Sequence, residues 1–244
     1  YSLFIIKEFY LKKAFTLSEV LITLGVLGVV AAISLPLLVS NTRGRQYRSK
    51  LRKTLSSVSQ AARMSHGMYG FDFAGIDEAC QNGSSDHPED IRSICSMLNG
   101  TLSGGTYIDK MSDLNIPDDS APYSIISPYL HSLGYSNAAD YHAYILSDGT
   151  IFAFYKGLGS HNGCPGKFDP AYETSDCVGF IDVNGVRLPN KEINCTSGVN
   201  SLAEMSCVVK NEAMYMTDIY PVRVYDGIVE PATAAGRFVL RTAN

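Results

Sequence analysis

The stretch KKAFTLSEVLITLGVLGVVAAISLPLLVSNT, residues 12–42, decides how the rest of the chain is read. From Val20 through Thr42 it holds no charged side chain. That length lets a helix cross about 30 Å of hydrocarbon. Val, Leu, Ile, Ala and Gly dominate without a turn cluster, so every backbone N–H and C=O can pair inside a helix, as lipid requires. Lys12 and Lys13 stand just before the run and favour a cytoplasmic N-terminus, which puts everything after Thr42 on the other side. An ordinary signal anchor or a cleaved secretory signal has the same hydropathy. No small-x-small cleavage site follows a short apolar core here, however. Glu19 also stands at the edge of the apolar segment, where a carboxylate is costly unless it has a partner.

Ala14-Phe15-Thr16-Leu17-Ser18-Glu19-Val20-Leu21-Ile22 resembles the N-terminal signature of type IV prepilins and of type II secretion pseudopilins. In those families a membrane peptidase removes a leader before a residue that is usually phenylalanine and methylates the new amino group. Glutamate is then the fifth residue of the mature chain. The resemblance implies a leader over 1–14, a cut between Ala14 and Phe15, and an assembly role for Glu19. Gly28 and Pro36 match the family's helix-loosening glycine and proline. Two departures are Ala14, where glycine is usual, and Tyr1 at the start of the leader.

The signature also has a physical reading. An ammonium at a helix start, packed beside a second copy, comes within reach of Glu19 on its neighbour. In a low dielectric either charge alone is costly, so the pair would set the axial register of a polymer. Gly25, Gly28, Ala31 and Ala32 allow close helix approach, and Pro36 removes a hydrogen bond and should bend the segment.

Charge is uneven along the chain. Arg43 to Arg63 carries seven basic side chains and no acid, whereas Asp72 to the end carries 10 basic against 22 acidic. Taken alone, the basic run suits nucleic acid or anionic lipid. Tyr47, Leu51, Leu55, Val58, Ala61 and Ala62 recur at helical spacing, which makes one apolar face and leaves most charges elsewhere. The pattern predicts one helix over about 15–70, its second half packed on the following domain and its basic face either solvated or set against acidic neighbouring subunits. Gly67 and Gly70 mark its end.

Beyond residue 70 the pattern predicts a small antiparallel sheet, hence an α+β domain over 71–244. A short helix is expected over Pro88–Leu98 and another near Ile125–Leu133, on either side of a strand at Thr106–Met111. Tyr141–Leu146 and Thr150–Tyr155 flank Ser147-Asp148-Gly149, the clearest hairpin signal. Further strands are expected at Val178–Val183, Val208–Tyr215, Ile219–Tyr225 and Arg237–Arg241.

Six cysteines, Cys80, Cys95, Cys164, Cys177, Cys195 and Cys207, all follow the apolar run and suit an oxidising compartment. Proximity favours pairing 80 with 95, 164 with 177 and 195 with 207. Zinc at His161, Cys164 and Cys177 is the rival use, although no Cys-x-x-Cys knuckle is present. Asp182-Val-Asn184-Gly185 places oxygens at alternate positions before a sharp turn, followed by Pro189-Asn190. This resembles a loop of bacterial prepilin-like globular domains, with Asp218 as the family's later aspartate. Asp182, Asn184 and Asp218 either hold Ca²⁺ or form an Asx-type turn. Phosphate loops, metalloprotease helices, nucleophile elbows and dinucleotide fingerprints are all absent, and the five histidines have no site-like spacing.

The resemblance implies a filament subunit that polymerises through its N-terminal helix and is not an enzyme. Its expected partners are other filament subunits, the prepilin peptidase and methyltransferase, an inner-membrane assembly platform with its ATPase, and membrane lipid before assembly. Its expected place is the bacterial inner membrane with the C-terminal domain outside the cytoplasm, and then a pilus or pseudopilus. A membrane-anchored monomeric binding or adhesion protein and a secreted enzyme are the alternatives.

Overall fold

A computed structural model describes residues 15–114, 128–133, 140–161, 163–165, 177–203, 206–212 and 214–242, with the side chains of 36–41, 128 and 131 outside that description. The expected leader, Ala14, and the loop around Pro117 and Pro122 therefore lie outside the described residues. The chain divides into two compact units, Tyr1–Val39 and Ser40–Asn244. The first helix, α1 (Leu17–Tyr69), contributes to both. Its second half thus belongs with the sheet.

In the first unit, Leu17–Leu35 is long and apolar enough to cross a membrane, and none of its span is buried. Thr23 and Ser34 turn their hydroxyls back onto the carbonyls of Val20 and Val30 at 3.0 and 2.5 Å. These two hydroxyls are thereby satisfied within the helix. The bend expected at Pro36 falls among residues whose side chains are not described.

The second unit is α+β. Its elements after α1 are α2 (Ile94–Thr101), β1 (Thr106–Ile108), α3 (Pro128–Ser132), β2 (Tyr141–Ile145), β3 (Ile151–Tyr155), β4 (Val178–Asp182), β5 (Ile219–Tyr225), β6 (Ile228–Pro231) and α4 (Ala234–Arg241). The six strands form one antiparallel meander in the order β1-β2-β3-β4-β5-β6. Strand alternation sorts the core into two faces. Phe152, Phe154, Ile181, Tyr220, Val222 and Val224 join one cluster with Tyr47, Leu51, Leu55, Val58, Ala61 and Ala62 of α1. Ala143, Ile151, Ala153, Val178, Phe180 and Ile219 face the other way, onto Met111 and Leu130. The apolar stripe read from α1 is the buried one.

Gly70 ends α1 as expected. It adopts φ 79° and donates its N–H to the His66 carbonyl at 3.1 Å, the left-handed cap that glycine favours. The hairpin at 147–149 also forms, with Gly149 at φ 78° and Asp148 Oδ1 accepting from Thr150 N at 3.1 Å.

Three expectations need correction. Arg237–Arg241 lies within a helix, because Thr233 caps it by accepting from Gly236 N at 3.3 Å and Ala235 and Val239 bury one face at helical spacing. The described residues of Val208–Tyr215 form no strand. Val208 makes one bridge to Ser197, and Tyr215 and Met216 then turn back to the Glu212 carbonyl at 2.9 and 3.0 Å. The helix expected from Pro88 begins only at Ile94, where Ser93 and Ser96 form a reciprocal capping box.

Candidate functional site

The helix start comes first. Phe15 is 84% exposed and α1 begins two residues later. Thr16 donates both its backbone N–H and its hydroxyl to Glu19 Oε2, at 2.8 and 2.9 Å, while Glu19 N–H donates to Thr16 Oγ1 at 3.2 Å. This is a capping box that satisfies amides left free by the first turn. Glu19 therefore has a partner within its own chain, and the carboxylate also favours the positive end of the helix dipole. Thr16 is the residue that sequence reasoning passed over. The Thr-x-x-Glu spacing was the available signal. Among the described residues, nothing beyond Gly28's own stretch of helix comes within 4 Å of where a Cβ would stand, so its surface is open.

The second site is the turn after β4. Asp182 is fully buried and its Oδ1 accepts from Asn184 N at 2.9 Å, an Asx turn. Gly185 follows at φ 68°, and a Cβ there would meet the Gly149 carbonyl oxygen at 2.5 Å. The turn can therefore lie against the 147–149 hairpin only with glycine at this position. Asp218, just before β5, accepts from Asn190 N at 3.0 Å and Lys191 N at 2.8 Å. Asn184 Nδ2 donates to the carbonyls of Arg187 and Leu188 at 3.0 and 2.8 Å and lies 3.5 Å from Asp218 Oδ2. The three residues read from the sequence are thus brought together. The Asn184 amide nitrogen stands where those oxygens converge, the place a hard cation would take.

Lys50 of α1 reaches the same turn and donates to the carbonyls of Val183 and Asp148 at 3.0 and 3.3 Å. Burial raises the Asp182 carboxyl well above the ordinary carboxylate range, and the Asp218 charge adds to this. Burial raises Asp218 as well, against the pull of the Lys191 and Asn190 amides. Among the described residues, Asp182 Oδ2 and the Tyr220 hydroxyl are buried without a hydrogen-bond partner.

Much of the basic run on α1 is engaged inside the chain. Lys53 pairs with Asp148 at 2.8 Å, Arg48 Nη2 donates to Thr242 Oγ1 at 3.2 Å, and Arg52 Nη2 donates to the Leu240 carbonyl at 2.5 Å. These contacts fasten α1 to the hairpin and to the end of α4.

The cysteines pair 80 with 95, 164 with 177 and 195 with 207, with Cα separations of 5.5, 5.6 and 5.4 Å. Cys164 and Cys177 are therefore not available to zinc. Among the described residues, the one close trio of potential metal ligands is Cys80, Asp86 and Cys95, and its two sulfurs are bonded to each other.

A tyrosine–histidine–aspartate group lies beside the first disulfide. Tyr107 Oη is 2.5 Å from His142 Nδ1 and 3.3 Å from Asp109 Oδ1. Burial lowers the His142 pKa, partly offset by Asp109. Burial also raises the Tyr107 phenol, and the Tyr107–His142 contact ties β1 to β2.

No protein-family model matches the chain, no curated protein is similar to it, and no solved structure matches it.

Proposed function

We propose that the chain is a pilin-like or pseudopilin-like structural subunit, anchored by Leu17–Leu35 and drawn into a filament through that helix. The observation that carries this reading is the order Phe15, Thr16, Glu19 at the head of a 19-residue apolar span, Leu17–Leu35, whose one charged side chain is Glu19 and in which no residue is buried. A fully exposed apolar helix must be covered by lipid or by other helices. The compact unit supplies a disulfide-braced α+β body with its own core on both sheet faces. On this reading the leader ends at Ala14, the body lies outside the cytoplasm, and the work is polymerisation, not catalysis. A peptidase, an assembly platform and its ATPase are the implied partners.

The capping box favours a second reading, a membrane-anchored monomer. With Thr16 as its partner, Glu19 no longer requires a second copy to be stable in the helix. Glutamine serves equally in a capping box, so Glu19→Gln keeps the cap and removes the charge, whereas Glu19→Ala removes both. Filament assembly through charge predicts that both variants insert into membrane and neither forms filaments visible by electron microscopy. Wild-type filaments from Glu19→Gln would leave Glu19 a cap only. Mass spectrometry of the mature chain, expected to begin at a methylated Phe15, tests the processing step.

A further inference from the structure

The compact unit gathers arginines around the C-terminal turn of α4. Arg48 and Arg52 reach Thr242 and the Leu240 carbonyl, so α1 brings cations to the negative end of the α4 dipole. Arg45, just ahead on α1, and Arg241, the last residue of α4, complete a collar. Both are exposed, and neither makes a hydrogen bond or ion pair among the described residues. The Arg48 guanidinium is lowered from its ordinary pKa by burial and then by the neighbouring positive charges of Arg52 and Arg45.

Phe238 lies between the arginines and is half-buried. It is shared by two clefts of about 220 Å³ each. One is lined by Leu202, Ala234, Arg237 and Arg241, the other by Arg45, Arg48, Met216 and Val239, and neither has an acidic residue among its described lining. Arg237 is paired with Glu230 and Arg48 with Thr242, but the exposed guanidinium groups of Arg45 and Arg241 beside apolar walls suit a phosphate ester that carries an apolar chain, since arginine binds phosphate through two parallel donors. A carboxylate surface alone would leave the apolar walls uncovered.

Chain connectivity identifies the occupant. Arg45 follows Leu35 by ten residues, so even a fully extended connection keeps it within about 35 Å of the end of the span. The amphiphile held within that reach is the bilayer's own lipid. We infer that the arginine collar and the Phe238 clefts dock onto the head groups of anionic phospholipid in the bilayer that Leu17–Leu35 crosses, an inference that rests on the membrane-span reading above. Docking would hold the body against the surface before assembly, and entry into a filament would release it.

The test uses the full chain in lipid nanodiscs, one copy per disc, made of phosphatidylcholine alone or mixed with phosphatidylglycerol. A photoreactive benzoylphenylalanine replaces Phe238. Lipid adducts are expected in the mixed discs, with about tenfold fewer in phosphatidylcholine alone. A similar loss is expected in mixed discs for Arg45→Glu combined with Arg241→Glu, since each basic residue near an anionic surface contributes severalfold to partitioning. Equal adducts in both lipids, or adducts to a second copy in place of lipid when two copies share a disc, would overturn the inference. Hydrogen exchange of the 239–242 amides in the unlabelled chain gives an independent readout. Protection is expected only with phosphatidylglycerol, and unchanged exchange counts against docking even if the bulky label perturbs α4. Co-purification with the disc reports insertion separately. Failure to insert overturns the span reading and this inference together, whereas insertion without lipid adducts overturns the docking alone.

Discussion

Replacing Asp218 by alanine should unfasten the 184–191 loop from the start of β5. The carboxylate takes two backbone amides, Asn190 N at 3.0 Å and Lys191 N at 2.8 Å, with the Asn184 side chain at 3.5 Å. A buried amide that loses its acceptor costs about 1–3 kcal/mol. Asn190 is half-buried and Lys191 is exposed, which places both near the lower end, so the sum is about 2–4 kcal/mol. Against a typical domain stability of about 5–15 kcal/mol that is a large fraction. Asp218→Asn keeps one acceptor oxygen and removes a charge that burial disfavours, so it should cost roughly half as much. The assay is urea unfolding of a soluble fragment beginning at residue 40, with disulfides intact, followed by near-ultraviolet circular dichroism. The midpoint should fall in the order wild type, Asn, Ala at constant slope. An alanine variant within about 0.5 kcal/mol of wild type would refute the reasoning, because surface changes of no structural consequence fall in that range.

Leu51→Ala removes a fully buried side chain from the α1 stripe and should cost about 2–5 kcal/mol, read as a lower melting midpoint of the same fragment; a loss below about 1 kcal/mol would mean the stripe does not anchor α1 to the sheet. Because burial lowers the His142 pKa, the unfolded chain takes up a proton below about pH 6.5 that the folded chain refuses. Stability is therefore full above that pH and declines as pH falls towards the folded-state pKa, and His142→Gln should flatten this stretch of the urea midpoint against pH. Asp182 and Asp218 act with the opposite sign, since their raised pKa values make stability fall as pH rises from the ordinary carboxylate range; Asp182→Asn should lessen that decline. With the Asn184 amide occupying the convergence of loop oxygens, neither calcium nor a chelator should move the melting midpoint, and a rise of several degrees with calcium would show that the amide yields its place.

Those features written in local patterns were legible. The α1 face follows from residues three and four apart, and the hairpin from Ser147-Asp148-Gly149 between apolar runs. Nearness in sequence favoured, among fifteen possible pairings, the cysteine set that the structure forms. The less legible elements were those settled by neighbours. Phe238, Val239 and Leu240 have strand-like side chains, yet the Thr233 cap and the surface offered to Ala235 and Val239 select a helix. Conversely, β6 has only four residues, and its Val229 N–H is met by Ser59 Oγ of α1 at 2.9 Å, a partner 170 residues away in sequence. The Asp182 turn could be located in the sequence but its wiring could not, because the choice between cation and amide depends on where Arg187, Leu188 and Asp218 converge. At the helix start the signal was local and sufficient. Glu19 drew attention as a lone charge while its partner stood three residues earlier.

Each disulfide joins cysteines only 12 to 15 residues apart, and every bridge closes before the next pair begins. Thiols released one after another from a ribosome or translocon would meet their correct mates first. A simple oxidant acting during synthesis or export should therefore suffice to lock the body, with no isomerase needed to undo crossed bonds.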